Sequence, residues 1–318
     1  MGHVGKRVVV TGGAGFIGAH LSIELAGRGN SVVVVDDLST GSLDNLTGAS
    51  AELLEGTILD PALLDAAMQG ADAVVHLAAI PSVPRSVAAP LASHHANATG
   101  TLQVLEAARQ AGLGQVVLAS SSSVYGASAV MPKHEGLPTA PRSPYAVSKL
   151  ATEAYAIAYH HCYGLGVLPF RFFNVFGPLQ AAGHAYAAVI PAFVDAALDG
   201  RPLPLQGDGT QSRDFTYVGT VVRVIADAVE RQVLSAEPVN LAFGGRTSLN
   251  ELIALLEQIL GRPLERESLP FRDGDVPHSQ AASERLRALF PDVEPVPLAD
   301  GVRQTVRWFQ EQRLAAVG

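Results

Sequence analysis

The chain has 318 residues, and 22 Lys+Arg against 30 Asp+Glu leave a formal net charge of −8. A surface that acidic argues against a nucleic-acid partner, while 48% hydrophobic against 16% charged residues gives enough apolar area for a packed core and excludes intrinsic disorder. Cys162 is the single cysteine and forms no internal disulfide, the start MGHVGKRVVVTGG has too short an apolar run for a signal peptide, and the longest uncharged stretch is broken by Gly177, Pro178 and Pro191. The expectation is a cytoplasmic protein that does not span a membrane.

Short valine-rich runs alternate with helix-period segments through the first half, the pattern of a parallel sheet covered by helices on both faces. Strands are expected at Arg7 to Thr11, Ser31 to Asp36, Ala51 to Glu55, Ala73 to Leu77, Gln115 to Ser120 and Val167 to Phe173. Between the fourth and fifth, Leu102, Leu105 and Ala108 recur at helical spacing and Gly112 supplies a stop, which predicts one helix over Ala88 to Ala111. Beyond Phe176 the elements shorten and prolines multiply, so a smaller looped lobe follows, with helices expected at Val218 to Leu234, Ser248 to Leu260 and Asp300 to Gln312. The expected division is 1–175 for the first unit, with a returning segment near 214–242, and 176–318 for the second.

Three segments carry chemistry. Thr11-Gly12-Gly13-Ala14-Gly15-Phe16-Ile17-Gly18 lies between the first strand and a helix beginning near Phe16, where glycines allow a tight turn and let a pyrophosphate approach free N–H groups at the helix start. The second strand ends at Asp36, placed to hold adenosine ribose hydroxyls and to repel a 2′-phosphate, which favours NAD over NADP. Tyr145-Ala146-Val147-Ser148-Lys149 follows Pro144, so the tyrosine and lysine share a helical face and the ammonium is expected to lower the phenol's pKa until it serves as a general base. The run Ser120 to Ser123 falls at a strand's C-terminal end, where parallel sheets bind ligands. The adjacent pairs His94-His95 and His160-His161 point too far apart to share a metal and are expected at the surface or core edge; none is expected to bind one. Cys162 is expected to be buried, and Trp308 to pack against the sheet.

With these segments the chain resembles the extended short-chain dehydrogenase/reductase superfamily, in its nucleotide-sugar epimerase and dehydratase branch. The blocks are TGGAGFIG at 11–18, VVHLAA at 74–79, SSSSVYG at 120–126, SPYAVSK at 143–149, RFFNVFGP at 171–178, GDGTQSRDFTYV at 207–218 and FRDGDVPHS at 271–279. The resemblance implies a Rossmann-type doubly wound parallel sheet, a smaller α/β C-terminal substrate lobe, NAD as cofactor, a UDP-sugar substrate and a homodimer joined through the helices near 90–110 and 144–163.

Carried over by motif, Ser121, Tyr145 and Lys149 are the catalytic set. The cofactor is expected at Gly12, Gly15, Phe16, Ile17, Gly18, Asp36, Asp37, Ser39, Thr40 and Gly41, then at Thr57, Ile58, Leu77, Ala78, Ala79, Asn97, Ser120 and Phe172, besides Tyr145 and Lys149. The substrate is expected at Pro81, Arg85, Ser121, Ser123, Tyr145 and Asn174, at Ala188, Val189 and Ile190, and at Arg213, Arg272, Asp275 and Ser279, with Tyr186 in the segment that wraps the nucleotide. Two departures stand out: Gly56-Thr57-Ile58 replaces the usual Gly-Asp-Ile, putting a hydroxyl where an aspartate meets the adenine amine, and Leu179 to His184 reads LQAAGH where the lid usually holds Asp and Pro.

The dehydratases of this branch carry Asp-Glu after the catalytic hydroxyl residue, and the decarboxylases a glutamate; here positions 122 and 123 are serines. What the resemblance then implies is hydride chemistry at C4 in the manner of UDP-hexose 4-epimerases. The small Ser279, where a bulkier residue would crowd the C2 substituent, leans the expectation to UDP-GlcNAc/UDP-GalNAc, with UDP-Glc/UDP-Gal as a second activity. The alternatives are a UDP-GlcA 4-epimerase, a dehydratase, a net reductase, or a non-catalytic NAD-sensing protein.

Overall fold

The computed structural model describes residues 5–182, 187–270 and 276–317. Its first half interleaves β1 (Arg7–Thr11), α1 (Phe16–Gly27), β2 (Ser31–Asp36), β3 (Ala51–Glu55), α2 (Pro61–Met68) and β4 (Ala73–His76). There follow α3 (Val83–Ala88), α4 (Pro90–His94), α5 (Gly100–Gln110), β5 (Gln115–Ser121), α6 (Pro144–Tyr163) and β6 (Val167–Phe172). The second half holds β7 (Asn174–Phe176), α7 (Val189–Leu198), β8 (Leu203–Gln206), β9 (Ser212–Arg213), β10 (Phe215–Tyr217) and α8 (Val218–Glu230). It ends with β11 (Val239–Leu241), β12 (Thr247–Ser248), α9 (Leu249–Leu260), β13 (Arg266–Leu269), α10 (Glu284–Leu289) and α11 (Leu298–Val317).

Seven strands form one parallel sheet in the order β11-β6-β5-β4-β1-β2-β3. The valine runs are explained by burial on both faces: Val8, Val10, Val32 and Val34 enter one core, while Val9, Val33 and Val35 enter the other. α1 and α8 pack together on the first face, and α2, α5 and α6 cover the second. The chain winds outward from β1 through β2 to β3, then reverses to β4, β5 and β6, so a crevice opens beyond the ends of β1 and β4, where such sheets take their ligands. This is a Rossmann-like sheet, and the expected strands match within a residue at each end.

The single helix predicted over Ala88 to Ala111 is instead three pieces. Ala89, at φ −139° and ψ 70°, separates α3 from α4, and Pro90 starts the new helix because its missing N–H costs nothing there. Between α4 and α5, His95–Thr99 forms a π-helical turn, an extra residue that swings Asn97 inward to 1% exposure. α6 begins as its sequence requires, with Ser143 accepting from the Ala146 N–H at 3.1 Å and Pro144 following, and stops at Gly164 with φ 71°.

In the second half, β7–β10 and β8–β13 are parallel pairs and β9–β12 is antiparallel. α9 opens with a reciprocal Ser248–Glu251 capping box. Trp308 lies half-buried against Phe309, but its helix α11 packs mainly on α7, α9 and β10 rather than on the large sheet. Cys162 is exposed, contrary to expectation, because it falls on the outer face of α6 with Ala154, Tyr155 and Ala158. Among the described residues, no helix is long and apolar enough to cross a membrane.

Candidate active site

The turn after β1 is shaped by what it excludes. A Cβ on Gly12, whose φ is +70°, would stand 2.7 Å from the Ala78 backbone, and one on Gly18 would stand 2.0 Å from the Gly12 carbonyl. Gly15 is the N-cap of α1, which has neither a side-chain cap nor an acidic residue in its first turn, so its leading N–H groups are left to an anion. Asp36, at the end of β2, takes the Ala14 N–H on one oxygen and the Leu38 N–H on the other, both at 2.9 Å, which holds its carboxylate against the glycine turn. A residue further on, the Asp37 carboxylate is turned to Ser39 instead, and Thr40 stands exposed. Gly41 abuts Ala14, where a Cβ would meet the backbone at 2.8 Å. These features fit a dinucleotide, and Leu77, Ala78, Ala79, Ile58 and Phe172 stand at neighbouring strand ends on the same edge.

Thr57 is exposed, and its hydroxyl accepts the Leu59 N–H at 3.3 Å within the turn leading to α2. Asn97 accepts the Ile80 N–H at 2.7 Å and donates to the Ile80 carbonyl at 3.3 Å and the Ser148 hydroxyl at 3.0 Å. It therefore ties the loop after β4 to α6. Beside it, His76 is buried between Thr11 at 2.7 Å and Thr101 at 3.0 Å, and burial first, then the Lys149 charge, holds its pKa down at about 3, so it is neutral.

Ser121, Tyr145 and Lys149 are brought together where β5 meets α6. The Lys149 Nζ donates to the Ala119 carbonyl at 2.9 Å and lies 6.0 Å from the Tyr145 ring centroid. The Tyr145 N–H donates to Ser86 at 3.0 Å, which locks α3 onto the first turn of α6. Burial pushes the Tyr145 phenol above its ordinary pKa, against a smaller downward pull from the Ser121 hydroxyl that faces it. Burial also lowers Lys149 to about 8. The expected lowering of Tyr145 by its lysine is not what the structure gives: loss of water dominates, and the downward pull comes from Ser121. Ser121 Oγ also accepts the Ser123 N–H at 3.1 Å, while the Ser123 hydroxyl is buried with no partner. Ser120 is turned inward, its hydroxyl donating to Glu153 and the Lys149 carbonyl.

A cavity of about 750 Å³ opens between β7, α7 and β8. Asn174, Ala188, Val189, Ile190 and Arg213 line it as expected. Gln206, Gln211 and Phe215 line it too and were missed, although Gln211 stands two residues before Arg213 within a block already singled out. Arg213 is anchored by donation to the Ser212 carbonyl at 3.0 Å and the Pro277 carbonyl at 3.3 Å. Ser279 is buried and its N–H donates to the Ser212 carbonyl at 3.0 Å, but it is not among the described residues on the cavity wall. Pro81 is exposed just before α3, and Arg85 is exposed on it. Arg272, Asp275 and Tyr186 lie outside the described residues. His94 and His95 are exposed, and the His160 Nδ1 meets the Leu165 carbonyl at 3.0 Å.

A dinucleotide cradle and a Tyr-Lys-Ser cluster at one sheet edge define an NAD-dependent enzyme, and comparison with known proteins agrees. The NAD dependent epimerase/dehydratase family matches residues 8–242, and the chain belongs to it. It is 37% identical over 312 residues to a UDP-glucose 4-epimerase of Mycolicibacterium smegmatis, covering 96% of this chain and 99% of that one. Among solved structures, the UDP-N-acetylglucosamine 4-epimerase of Methanobrevibacter ruminantium, in complex with UDP-N-acetylmuramic acid, superposes with a TM-score of 0.92 at 36% identity, covering 98% of this chain and 100% of that one. The dTDP-glucose 4,6-dehydratase of Streptomyces venezuelae with NAD bound gives 0.89 at 34%, covering 97% and 98%.

Proposed function

We propose that the protein is a UDP-sugar 4-epimerase, acting first on UDP-GlcNAc/UDP-GalNAc and secondly on UDP-Glc/UDP-Gal. The observation that carries the reading is the catalytic cluster itself: Tyr145 and Lys149 meet Ser121 at the strand end, while positions 122 and 123, where a dehydratase needs an acid and a base, are serines. Gly12, Gly15, Gly18 and Asp36 would hold NAD, which supplies a cationic ring that accepts and returns hydride.

Acting as its phenolate, Tyr145 takes the sugar O4 proton through the Ser121 hydroxyl as the C4–H bond breaks, becoming a neutral phenol, and gives that proton back after the keto sugar has turned over. Lys149, charged below about pH 8, favours the phenolate that Tyr145 must carry before it can take a proton, opposing the burial that holds the phenol protonated. Asn174, Arg213 and the 750 Å³ cavity support a nucleoside diphosphate held by its non-reacting end, which leaves the sugar free to present either face. Two copies pair through α4 and α6, where Leu91 is 75% exposed and Val147 52% exposed.

The test is an NMR assay of purified protein against UDP-GlcNAc, UDP-Glc and UDP-GlcA without added reductant, following the anomeric and H4 signals. A C4 epimer from UDP-GlcNAc is expected, and Tyr145→Phe should lose about 10²–10⁴-fold of it while still binding UDP. Unchanged signals from all three sugars overturn the reading, and accumulation of free NADH would make the protein a net dehydrogenase. Ser279→Tyr should depress turnover of the N-acetylated sugar selectively, by about 10–200-fold; equal loss on both sugar classes would place the gate elsewhere.

A further inference from the structure

Ser121 and Tyr145 belong to different elements, and the junction that sets their separation is buried and polar. Ser120, the residue before Ser121, donates to the Lys149 carbonyl at 3.2 Å and to Glu153 Oε1 at 2.5 Å. Glu153 stands one turn beyond Lys149 on α6, and Arg171 of β6 grips both its oxygens, Nε to Oε1 at 2.9 Å and Nη2 to Oε2 at 2.8 Å. Arg171 lies directly opposite Ser120 in the β5–β6 register. Its guanidinium also covers the ring of Tyr125 at 4.7 Å, in the turn that follows Ser121. The catalytic serine is thus flanked, one residue before and four after, by side chains resting on the same ion pair. Ser120, Glu153 and Arg171 are 2%, 1% and 4% exposed.

A buried ion pair adds little net stability over well-packed apolar side chains. What the bidentate geometry adds is direction, because the fork fixes the carboxylate plane and the carboxylate fixes the Ser120 hydroxyl. We propose that Glu153 is a positioning residue that, through Ser120 and held by Arg171, sets the approach of the Ser121 hydroxyl to the Tyr145 phenol. The inference rests on the assignment of Ser121 and Tyr145 as the proton-transfer pair.

The experiment uses protein labelled with ¹³C at the tyrosine Cζ, whose shift reports hydrogen bonding to the phenolic oxygen. There are 7 tyrosines, and the Tyr145 signal is the one lost in Tyr145→Phe. The double variant Glu153→Gln/Arg171→Met removes both charges, so none is left buried and unpaired, and Ser120→Ala, which cuts only the hydroxyl link, serves as a second, milder variant. In both, the Tyr145 signal should move toward its position in Ser121→Ala, and kcat for epimerisation should fall at least tenfold with KM within twofold. A Tyr145 signal at its wild-type position, with an unchanged kcat and only a shifted melting temperature, would overturn the proposal. If the wild-type protein turns over no UDP-sugar, the proposed activity fails, while the Tyr145 shift still decides the positioning role.

Discussion

At the scale of single residues, Thr57 concentrates a testable difference. Its hydroxyl is spent on the Leu59 N–H and its side chain is exposed, so it offers the adenine end of the cofactor no charged acceptor. Thr57→Asp should tighten NAD binding about tenfold, the worth of one hydrogen bond to a charged group, and raise the fraction of protein purified with NAD; equal NAD content in both proteins would count against an adenine contact there. The spacing makes Tyr145 and Lys149 neighbours on α6, as they are in the structure, but burial pushes the phenol's pKa up rather than down. An i, i+4 interval shows which side chains are neighbours and says nothing about how much water is excluded from them. Glu153 and Arg171 went unread for a related reason: charges 18 positions apart resemble solvated surface groups until β6 and α6 close on each other.

Among the elements, the parallel strands were legible because both of their faces are buried, which forces unbroken apolar runs. The π-helical turn was not, since His95–Thr99 has no composition that separates it from ordinary helix and the additional residue shows only in the backbone. The link between β9 and β10 makes a prediction of its own. Asp214 lies there, buried, taking the Gly244 N–H at 3.0 Å and the Ala281 N–H at 3.1 Å, and burial raises its pKa from 3.8 to about 6. The folded protein therefore keeps this proton over a range in which the unfolded chain has lost it. The associated stability is present at acid pH and is lost as pH rises from about 4 through 6, a change of about 3 kcal/mol. Asp214→Asn should flatten that decline in melting curves taken at pH 4, 5, 6 and 7, whereas parallel curves for the two proteins would assign the pH dependence to other groups.

For the molecule as a whole, the exposed apolar stripe joins positions that look unrelated along the chain. Val87 is 66% exposed, Leu91 75%, Val147 52% and Tyr155 40%, and the helices that carry them, α3, α4 and α6, pack against one another. Leu91→Glu with Tyr155→Glu should convert a dimer to a monomer in analytical ultracentrifugation, while a dimer unaffected by both charges would place the interface on another face. The shorter strands of the second half go with its many prolines. Its cavity was legible only in part, because Gln206 and Phe215 reach the wall through folding of β8 and β10 rather than through any spacing.

The place of β11 carries a consequence for synthesis. This strand, Val239–Leu241, comes from beyond α8 yet forms the border of the large sheet by pairing with Phe170 to Phe172 of β6. On the ribosome, β6 emerges long before its neighbour exists, and its apolar VLPFRF stretch must wait with one rim of backbone N–H and carbonyl groups unsatisfied. A nascent chain stalled before Leu241 would therefore present a sticky, half-finished sheet, the kind of surface that holding chaperones bind, and translation past that point removes it.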